Sequence, residues 1–505
     1  MKFQILKGKN FKTFVYIQDV KTKEDLELYD IIQKVLSRTE FKPFMQGFNK
    51  SISYSYLFNE YLFPIQFLED VLKQIEKFTT TKIEIFNKEL IDDNVFEYEA
   101  FAAWIATLKF PDDIDTISED YQYQRDAVFL AIKHKIGRVE ISTSGGKTFI
   151  TYLYCRFIFD NIFYENQNKK ILIIVPSKLL CNQLKNDFKH YDKFFDRPLG
   201  VETIFTGAKR LLDADIVCGT FQSLALYDIE YFTDFGVFIC DEVHRAKAYS
   251  IRNEIYNKLL NCEYFFGMTG TTPPYKTLDY LHIVSMFGHA LVVKEAWEII
   301  EAGTATPVRI SIIKIQYEND AEFSQSLKDK GILGTEKYKI EKEYFHTNQK
   351  RTEIIGKLLN SVPGNSLILV NTVNYCNILK DFLEVYCPEW TFEIVHGEVS
   401  NREEIIQEMR DTNDKYCIIA TTKTMSVGVS IKSLQNAYLV DGGKSLFDVG
   451  QTIGRIMRLF AGKKISRLFD FWDDMNKSSF RSHGFERYKY YGIKKFPIKI
   501  THTKI

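Results

Sequence analysis

From residue 113 to about residue 475 the chain repeats one pattern: a short continuous apolar run, a turn, and a longer amphipathic stretch. The runs include Lys170-Ile171-Leu172-Ile173-Ile174-Val175, Asp215-Ile216-Val217-Cys218-Gly219 and Phe235-Gly236-Val237-Phe238-Ile239-Cys240. They continue with Ser366-Leu367-Ile368-Leu369-Val370, Phe392-Glu393-Ile394-Val395, Cys417-Ile418-Ile419-Ala420 and Ala437-Tyr438-Leu439-Val440. Unbroken β-rich runs of this length suit strands covered on both faces; half-exposed strands would alternate polar and apolar residues. Alternation with helical stretches implies right-handed β-α-β units and parallel sheets. The expected fold class is therefore α/β.

The pattern pauses between about 290 and 350, where charged segments such as Asp320-Ala321-Glu322 and Lys328-Asp329-Lys330 occur. A hinge near Gly303 to Pro307 is expected to divide two lobes, 113–305 and 306–475. Residues 1–112 are rich in aromatics and lysine and read as a small α+β domain, with helices near 24–37 and 65–77. Its Lys42, Phe44, Tyr54, Tyr56, Tyr61 and Phe63 suit either stacking on bases or one aromatic face of a small sheet. Residues 476–505 read as a basic, aromatic tail without a strong pattern.

Composition removes several classes. Hydrophobic residues make up 45% and charged residues 26%, as in globular chains and unlike disordered ones. The 66 basic residues balance 66 acidic ones, so nucleic-acid contact has to come from local patches or backbone donors. The eight cysteines show no C-x-x-C spacing and read as small buried hydrophobes of a reducing compartment. No apolar stretch reaches the roughly 18–20 residues needed to span a bilayer, and no signal-peptide core follows Met1-Lys2-Phe3-Gln4. An intracellular protein without a membrane partner is expected.

The apolar segment ending at Ile141-Ser142 leads into Thr143-Ser144-Gly145-Gly146-Lys147-Thr148 and then a helical stretch from Phe149. Glycines after a strand let backbone N–H groups turn around an anion, and the following helix start adds donors and partial positive charge. In this P-loop reading Ser144, Gly145 and Gly146 cradle the phosphates of ATP and Lys147 reaches the β- and γ-phosphates. The Thr148 hydroxyl is a ligand for Mg²⁺. The general P-loop carries a glycine where this chain has Ile141. Downstream, Asp241-Glu242-Val243-His244 closes the run from Phe235. A strand end puts both carboxylates at the edge where parallel sheets bind ligands. Asp241 is the second candidate Mg²⁺ ligand, and Glu242 is the candidate base for the attacking water.

With these motifs in order, the chain from about 120 to 460 resembles the superfamily 2 helicases and translocases of the DExH kind. The resemblance implies two tandem RecA-like lobes (P-loop NTPase) behind the small α+β domain. It makes Gln124, in Tyr123-Gln124-Arg125-Asp126, the adenine contact. It places Pro176 and Ser177 in motif Ia and Thr220 in motif Ib, both touching one nucleic-acid strand. Thr269-Gly270-Thr271 stands at motif III, whose usual form is Ser/Thr-Ala-Thr. Asn371 and Thr372 belong to motif IV, and Thr422 to motif V. Gly428, also in motif V, falls on the nucleotide side. Motif VI supplies Gln451, Arg455 and Arg458 at i, i+4 and i+7, expected on one helix face turned toward the γ-phosphate held by the other lobe. Arg455 and Arg458 are then arginine fingers.

Phe188 to Tyr191, Met286-Phe287-Gly288, His396-Gly397-Glu398-Val399 and Ser426 to Ser430 further resemble the phage UvsW-type recombination helicases. That likeness implies an ATP-dependent enzyme on branched or partly single-stranded DNA, with an RNA–DNA hybrid as an alternative substrate. It implies work in recombination, repair and replication restart in the host cytoplasm, beside single-strand-binding or recombination proteins. A double-strand translocase of restriction type and an ATP-gated annealing clamp stay open as alternatives.

Overall fold

A computed structural model describes the chain apart from residues 8–11, 44–48, 81–82, 89–95, 113, 115–117, 164–168, 205–213, 245–247, 276, 400, 413–414, 426–430, 442, 444 and 477. It divides into two compact units, Met1–Ile141 with Gly146–Lys294, and Glu295–Ile505, with Ser142–Gly145 counted in the second.

In the first unit, β1 (Lys2–Lys7), β2 (Thr13–Gln18), β5 (Leu62–Pro64) and β6 (Glu84–Phe86) form a sheet in the order β5-β2-β1-β6, and β3 (Ser37–Pro43) pairs with β4 (Asn49–Ser55) as a separate hairpin. The helix Lys23–Leu36 starts at a capping box: Thr22 Oγ1 accepts from the Asp25 N–H at 3.1 Å, and the Asp25 carboxylate accepts from the Thr22 N–H at 2.9 Å. This layer has no core wholly of its own. Its buried Phe3, Ile5, Val15, Ile32, Phe63 and Val71 pack in one cluster with Tyr280, Leu281 and Val284 of the helix Leu278–Phe287.

The larger sheet of this unit holds β7 (Ile136–Ile141), β8 (Lys170–Val175), β9 (Val201–Ile204), β10 (Ile216–Thr220), β11 (Phe235–Cys240), β12 (Tyr264–Thr269) and β13 (Ala290–Lys294). Its order is β13-β7-β12-β11-β8-β10-β9, and every pairing is parallel. All residues of β10, β11 and β12 are buried, as a parallel sheet clad on both faces requires. One cladding core includes Val139, Ile141, Ile173 and Phe266 and the other Leu172, Ile174, Phe238 and Phe265, so alternate strand residues point to opposite faces. Phe101 and Ile105 of the helix Tyr98–Thr107 lie in the first of these cores, so that helix packs with the parallel sheet and not with the N-terminal strands.

The second unit holds β14 (Val308–Gln316), β15 (Asn365–Val370), β16 (Thr391–Val395), β17 (Tyr416–Thr421), β18 (Leu434–Leu439), β19 (Ser466–Asp473) and β20 (Ile498–Lys504). The order is β16-β17-β15-β18-β19-β14-β20, again all parallel. The last thirty residues differ from the patternless tail expected from sequence. They form the helix Ser479–Ile493 and then β20, which runs along β14 from Ile310↔Ile498 to Gln316↔Lys504. The fully buried Arg487 anchors that helix, bonding the Asp470 carboxylate of β19 at 2.8–3.1 Å. A second buried pair, Arg351 with Asp473, lies at 2.8 and 3.0 Å and also binds Tyr375 Oη and the Val440 carbonyl. All eight cysteines are free and buried. No helix among the described residues is long and apolar enough to cross a membrane.

Candidate nucleotide-hydrolysis and strand-contact sites

Strands β7, β12, β11, β8 and β10 are successive neighbours, so the segments after their carboxyl ends line one edge of the sheet. The turn after β7 delivers Gly146, at φ +78°, as N-cap of the helix Lys147–Phe157. A side chain is excluded there twice over, because the left-handed conformation disfavours it and a Cβ would lie 2.3 Å from Gln124 Nε2. Gln124, 5% exposed, is thereby held against the turn. Ile141, where the general P-loop has glycine, is fully buried in the sheet core, while its carbonyl accepts from Lys147 Nζ at 3.1 Å. Its side chain thus points away from the loop. Thr148 follows in the first helical turn, half-buried.

Lys147 Nζ also stands 3.6 Å from the Glu242 carboxylate, which brings the glycine loop and the acidic pair together. Glu242 is 7% exposed and left-handed at φ +49°, a conformation unusual for this residue type, and its N–H donates to Asp241 Oδ1 at 2.9 Å. His244 Nδ1 lies 3.6 Å from Glu242 and 2.6 Å from Thr269 Oγ1. Thr269 Oγ1 donates its one hydrogen to the Thr271 carbonyl at 2.8 Å and accepts from the Thr271 N–H at 3.1 Å. A second lone pair is left to accept from His244 Nδ1–H, which defines that ring's tautomer. The acidic segment and the Thr269-Gly270-Thr271 segment are therefore one hydrogen-bonded assembly. The glycine in the middle position does not disturb it, because the contact is made by the first threonine.

Farther along the same edge, Ser177 Oγ caps the helix Lys178–Tyr191 by accepting from the Leu180 N–H at 3.3 Å, with Pro176 half-buried before it. Thr220 is 6% exposed and its hydroxyl meets Ser223 Oγ at 3.0 Å, so this segment presents backbone more than side chain.

In the second unit, Ser445 caps the helix Leu446–Ile456, which carries Gln451, half-buried, and Arg455, 6% exposed. The expected placement of Gln451, Arg455 and Arg458 on a single helix face is corrected here. The helix stops at Ile456, Met457 is its C-cap, and Arg458 sits on the turn beyond. That turn is tied down by Thr306, whose N–H donates to the Met457 carbonyl at 2.7 Å and whose hydroxyl donates to the Arg458 carbonyl at 3.1 Å. Lys463 Nζ donates to the same Arg458 carbonyl at 3.0 Å. Burial, with the Arg458 charge adding to it, pulls the Lys463 ammonium down to about 7.

Asn371 and Thr372 follow β15, and Thr422 follows its neighbour β17. Asn371 and Thr372 are exposed. Thr422 Oγ1 donates to the Val370 carbonyl at 3.1 Å and reaches Asn371 Oδ1 at 3.3 Å. Sequence reasoning missed what holds them. Asp441, just past β18 on the other flank of β15, accepts the Asn371 N–H at 3.0 Å, and its carbonyl accepts Asn371 Nδ2 at 2.9 Å. The other carboxylate oxygen lies 2.7 Å from His346 Nε2, and the His346 ring stacks on Tyr375 at 3.6 Å. Burial would raise the Asp441 carboxyl, but the His346 bond and the charges of His346, Lys342 and Arg351 outweigh it and hold the group below its ordinary value. The available signal was an acid closing an apolar run, the same pattern that singled out Asp241. Gly428 lies outside the described residues.

Two family models match along the chain, the type III restriction enzyme res subunit over residues 96–274 and the helicase conserved C-terminal domain over 349–460. The chain is 29% identical over 436 residues to the ATP-dependent DNA helicase uvsW of Enterobacteria phage T4, covering 81% of this chain and 83% of that protein. The chain is a superfamily 2 helicase. As such it hydrolyses ATP and binds nucleic acid. The helicase also shares its fold with a fragment of a putative HsdR subunit of a type I restriction enzyme from Vibrio vulnificus (TM-score 0.58, 14% identity, 90% of this chain and 78% of that one). Another neighbour is the S. cerevisiae Dbp5 variant bound to RNA and ADP BeF3 (TM-score 0.52, 16% identity, 81% and 94%). Its two seven-stranded parallel sheets are the two RecA-like lobes expected of such a helicase.

Mg²⁺ suits the donors this helicase offers. Among the described residues no group of three or more His, Cys, Asp or Glu side chains could hold a metal ion by itself. Mg²⁺ does not need one, since it takes one or two hard oxygen ligands from protein and completes its shell with phosphate and water. The Thr148 hydroxyl and the Asp241 carboxylate are such oxygens.

Proposed function

We propose that this helicase remodels branched DNA by coupling ATP hydrolysis to movement along a strand, in recombination, repair and replication restart. The observation that carries the reading is the 3.6 Å approach of Lys147 to Glu242 at the edge of adjoining parallel strands, a cation for phosphate beside a base for water. In this reading Gln124 contacts adenine, Ser144, Gly145 and Gly146 wrap the phosphates, and Lys147 binds the β- and γ-phosphates. Thr148 and Asp241 would hold Mg²⁺, which when bound neutralises charge on the phosphates. Glu242, oriented by its buried, left-handed backbone and by His244, takes the proton of the attacking water. Gln451, Arg455 and Arg458 are assigned to the charge that develops on the transferring phosphoryl group. Pro176, Ser177, Thr220, Asn371, Thr372 and Thr422 are assigned to the strand, and Gly428 to the nucleotide. Contacts to phosphate and sugar carry little sequence information, so binding should be sequence-tolerant and salt-sensitive.

The named activity of the phage T4 relative supports DNA as the substrate. The restriction-subunit model over residues 96–274 favours a second reading, translocation on duplex without strand separation. ATPase stimulation and strand displacement, compared on forked DNA, plain duplex, single-stranded DNA and RNA, decide between them. Preferential stimulation by the fork, with ATP-dependent displacement, is expected. Stimulation by duplex with no displaced strand would establish the second reading, and displacement without ATP would remove the motor. We also place the protein's work in the host cytoplasm.

A further inference from the structure

Where the N-terminal layer meets the parallel sheet of its own unit, a cleft of about 170 Å³ opens. Lys34 and Val35 come from the helix Lys23–Leu36, Arg38 from the start of β3, and Phe78 from just past the helix Leu68–Ile75. Tyr275 and Leu281 come from the segment after Thr269-Gly270-Thr271. Two of these residues are large aromatics left in solvent: Phe78 is 66% exposed and Tyr275 62%. Exposed aromatic surface gathered in one place marks a binding site more often than chance. The Tyr275 ring is held edge-on to Tyr280 at 5.2 Å, and Asp70 of the lining stands 3.0 Å from His289 Nε2. The Tyr275 wall is therefore braced by its neighbour Tyr280.

We propose that this cleft receives a single unpaired nucleotide of the nucleic acid, its base against Phe78 and Tyr275 and its phosphate near Lys34 and Arg38. The inference rests on the reading that the substrate has unpaired nucleotides at a branch, and it names the element that recognises them. Size favours one ring system, since the volume is below the range of about 300–1,000 Å³ typical of pockets for larger ligands. Chemistry favours a base over an apolar peptide, because the aromatics share the cleft with two cationic side chains, Lys34 and Arg38, against one carboxylate, Asp70. Aromatic rings beside cations take any base, in keeping with sequence-tolerant binding. The position also has a consequence. Tyr275 lies four residues after Thr271, whose backbone is bonded to Thr269, and Thr269 meets His244 beside Glu242. A nucleotide seated on Tyr275 thus acts on the segment that orients the hydrolytic base.

The test uses the full chain and forked DNA with 2-aminopurine at the unpaired positions nearest the branch. Stacking quenches this fluorophore. Wild type should quench it, while Phe78→Ala and Tyr275→Ala should each remove most of the quench and weaken fork binding about tenfold. Phe78→Tyr and Tyr275→Phe keep the rings and should keep the quench. Phe194→Ala, at an exposed aromatic elsewhere in the unit, should change nothing. Binding of both alanine variants to blunt duplex at wild-type strength would show that the fold is intact. Full quenching by both alanine variants would overturn the cleft while leaving the branched-DNA reading in place. Failure of wild type to bind the fork would overturn both.

Discussion

At the residue scale, the site gathers groups with opposite demands into a small volume. Glu242 is almost buried, and buried carboxylates are costly unless paired; the Lys147 ammonium at 3.6 Å supplies an opposite charge. The pairing makes a specific prediction. Glu242→Gln keeps shape and hydrogen-bonding capacity but removes the base, so ATP should still bind within a few-fold while turnover falls by about 10² or more. Nucleotide-binding titration beside phosphate release checks this, and equal loss of both would contradict the role. Lys463 offers a prediction on pH. Its ammonium is held at about 7 against an ordinary 10.5, so between these values the unfolded chain binds more protons than the folded one. Stability should therefore rise with pH from about 7 to 10, by at most about 1.4 kcal/mol per pH unit. Lys463→Met lacks that slope. Denaturant unfolding of both proteins at pH 7, 8 and 9 should show the difference growing in favour of wild type, and a flat difference would return Lys463 to a solvated lysine.

At the scale of elements, the proposed strand-contact segments are the turn after β15 and the short helix Thr422–Met425 after β17, and the turn is shaped by a third strand end. Asp441, past β18, holds the Asn371 backbone and side chain and is itself held by His346 from the helix Gly334–Thr347. That helix lies in the charged stretch where the sequence pattern pauses, and the interruption proves to supply a buttress. Asp441→Asn offers one acceptor oxygen where two are needed, and the nucleic-acid concentration for half-maximal ATPase stimulation should rise about tenfold. His346→Ala should act in the same direction, because removing one partner leaves the other buried and unpaired. Steady-state ATPase titrated with DNA checks both, and a fall in turnover at saturating DNA with no change in that midpoint would count against the positioning role.

At the scale of the molecule, the N-terminal layer is built into the first unit. Tyr54, Tyr56 and Phe58 surround Arg252, with the guanidinium 5.0–5.9 Å from their ring centres, and Tyr54 Oη accepts from Arg252 at 2.7 Å. Tyr56 also bonds His282 and Ser285. Base stacking, one of the two roles open to the N-terminal aromatics, is therefore closed to Tyr56 and Phe63, both fully buried; the side chains of Lys42 and Phe44 lie outside the described residues. Deleting residues 1–95 would uncover Tyr280, Leu281 and Val284, so the truncated chain should melt lower or aggregate as well as lose fork binding. Polar replacements at Leu281 and Val284 in the truncated chain should restore solubility. A cut at residue 112 should do more damage, because it also takes Phe101 and Ile105 from the core of the parallel sheet. Thermal melting of the two truncations distinguishes these outcomes.

The sequence by itself determined the two parallel sheets and the strand ends at which Lys147, Asp241, Asn371 and Thr422 stand. Apolar runs and glycine turns are local, and in a parallel sheet a strand end already specifies the edge that binds ligands. The tertiary structure alone decided that the terminal segment joins the second sheet as its edge strand β20, that Arg458 lies past its helix, that Asp441 and His346 brace Asn371, and that Tyr54, Tyr56 and Phe58 dock around Arg252. Each of these depends on partners distant along the chain. Arg351 with Asp473 and Tyr56 with His282 are charged or polar residues whose burial no periodicity announces, because it is the packed partner that makes their burial tolerable.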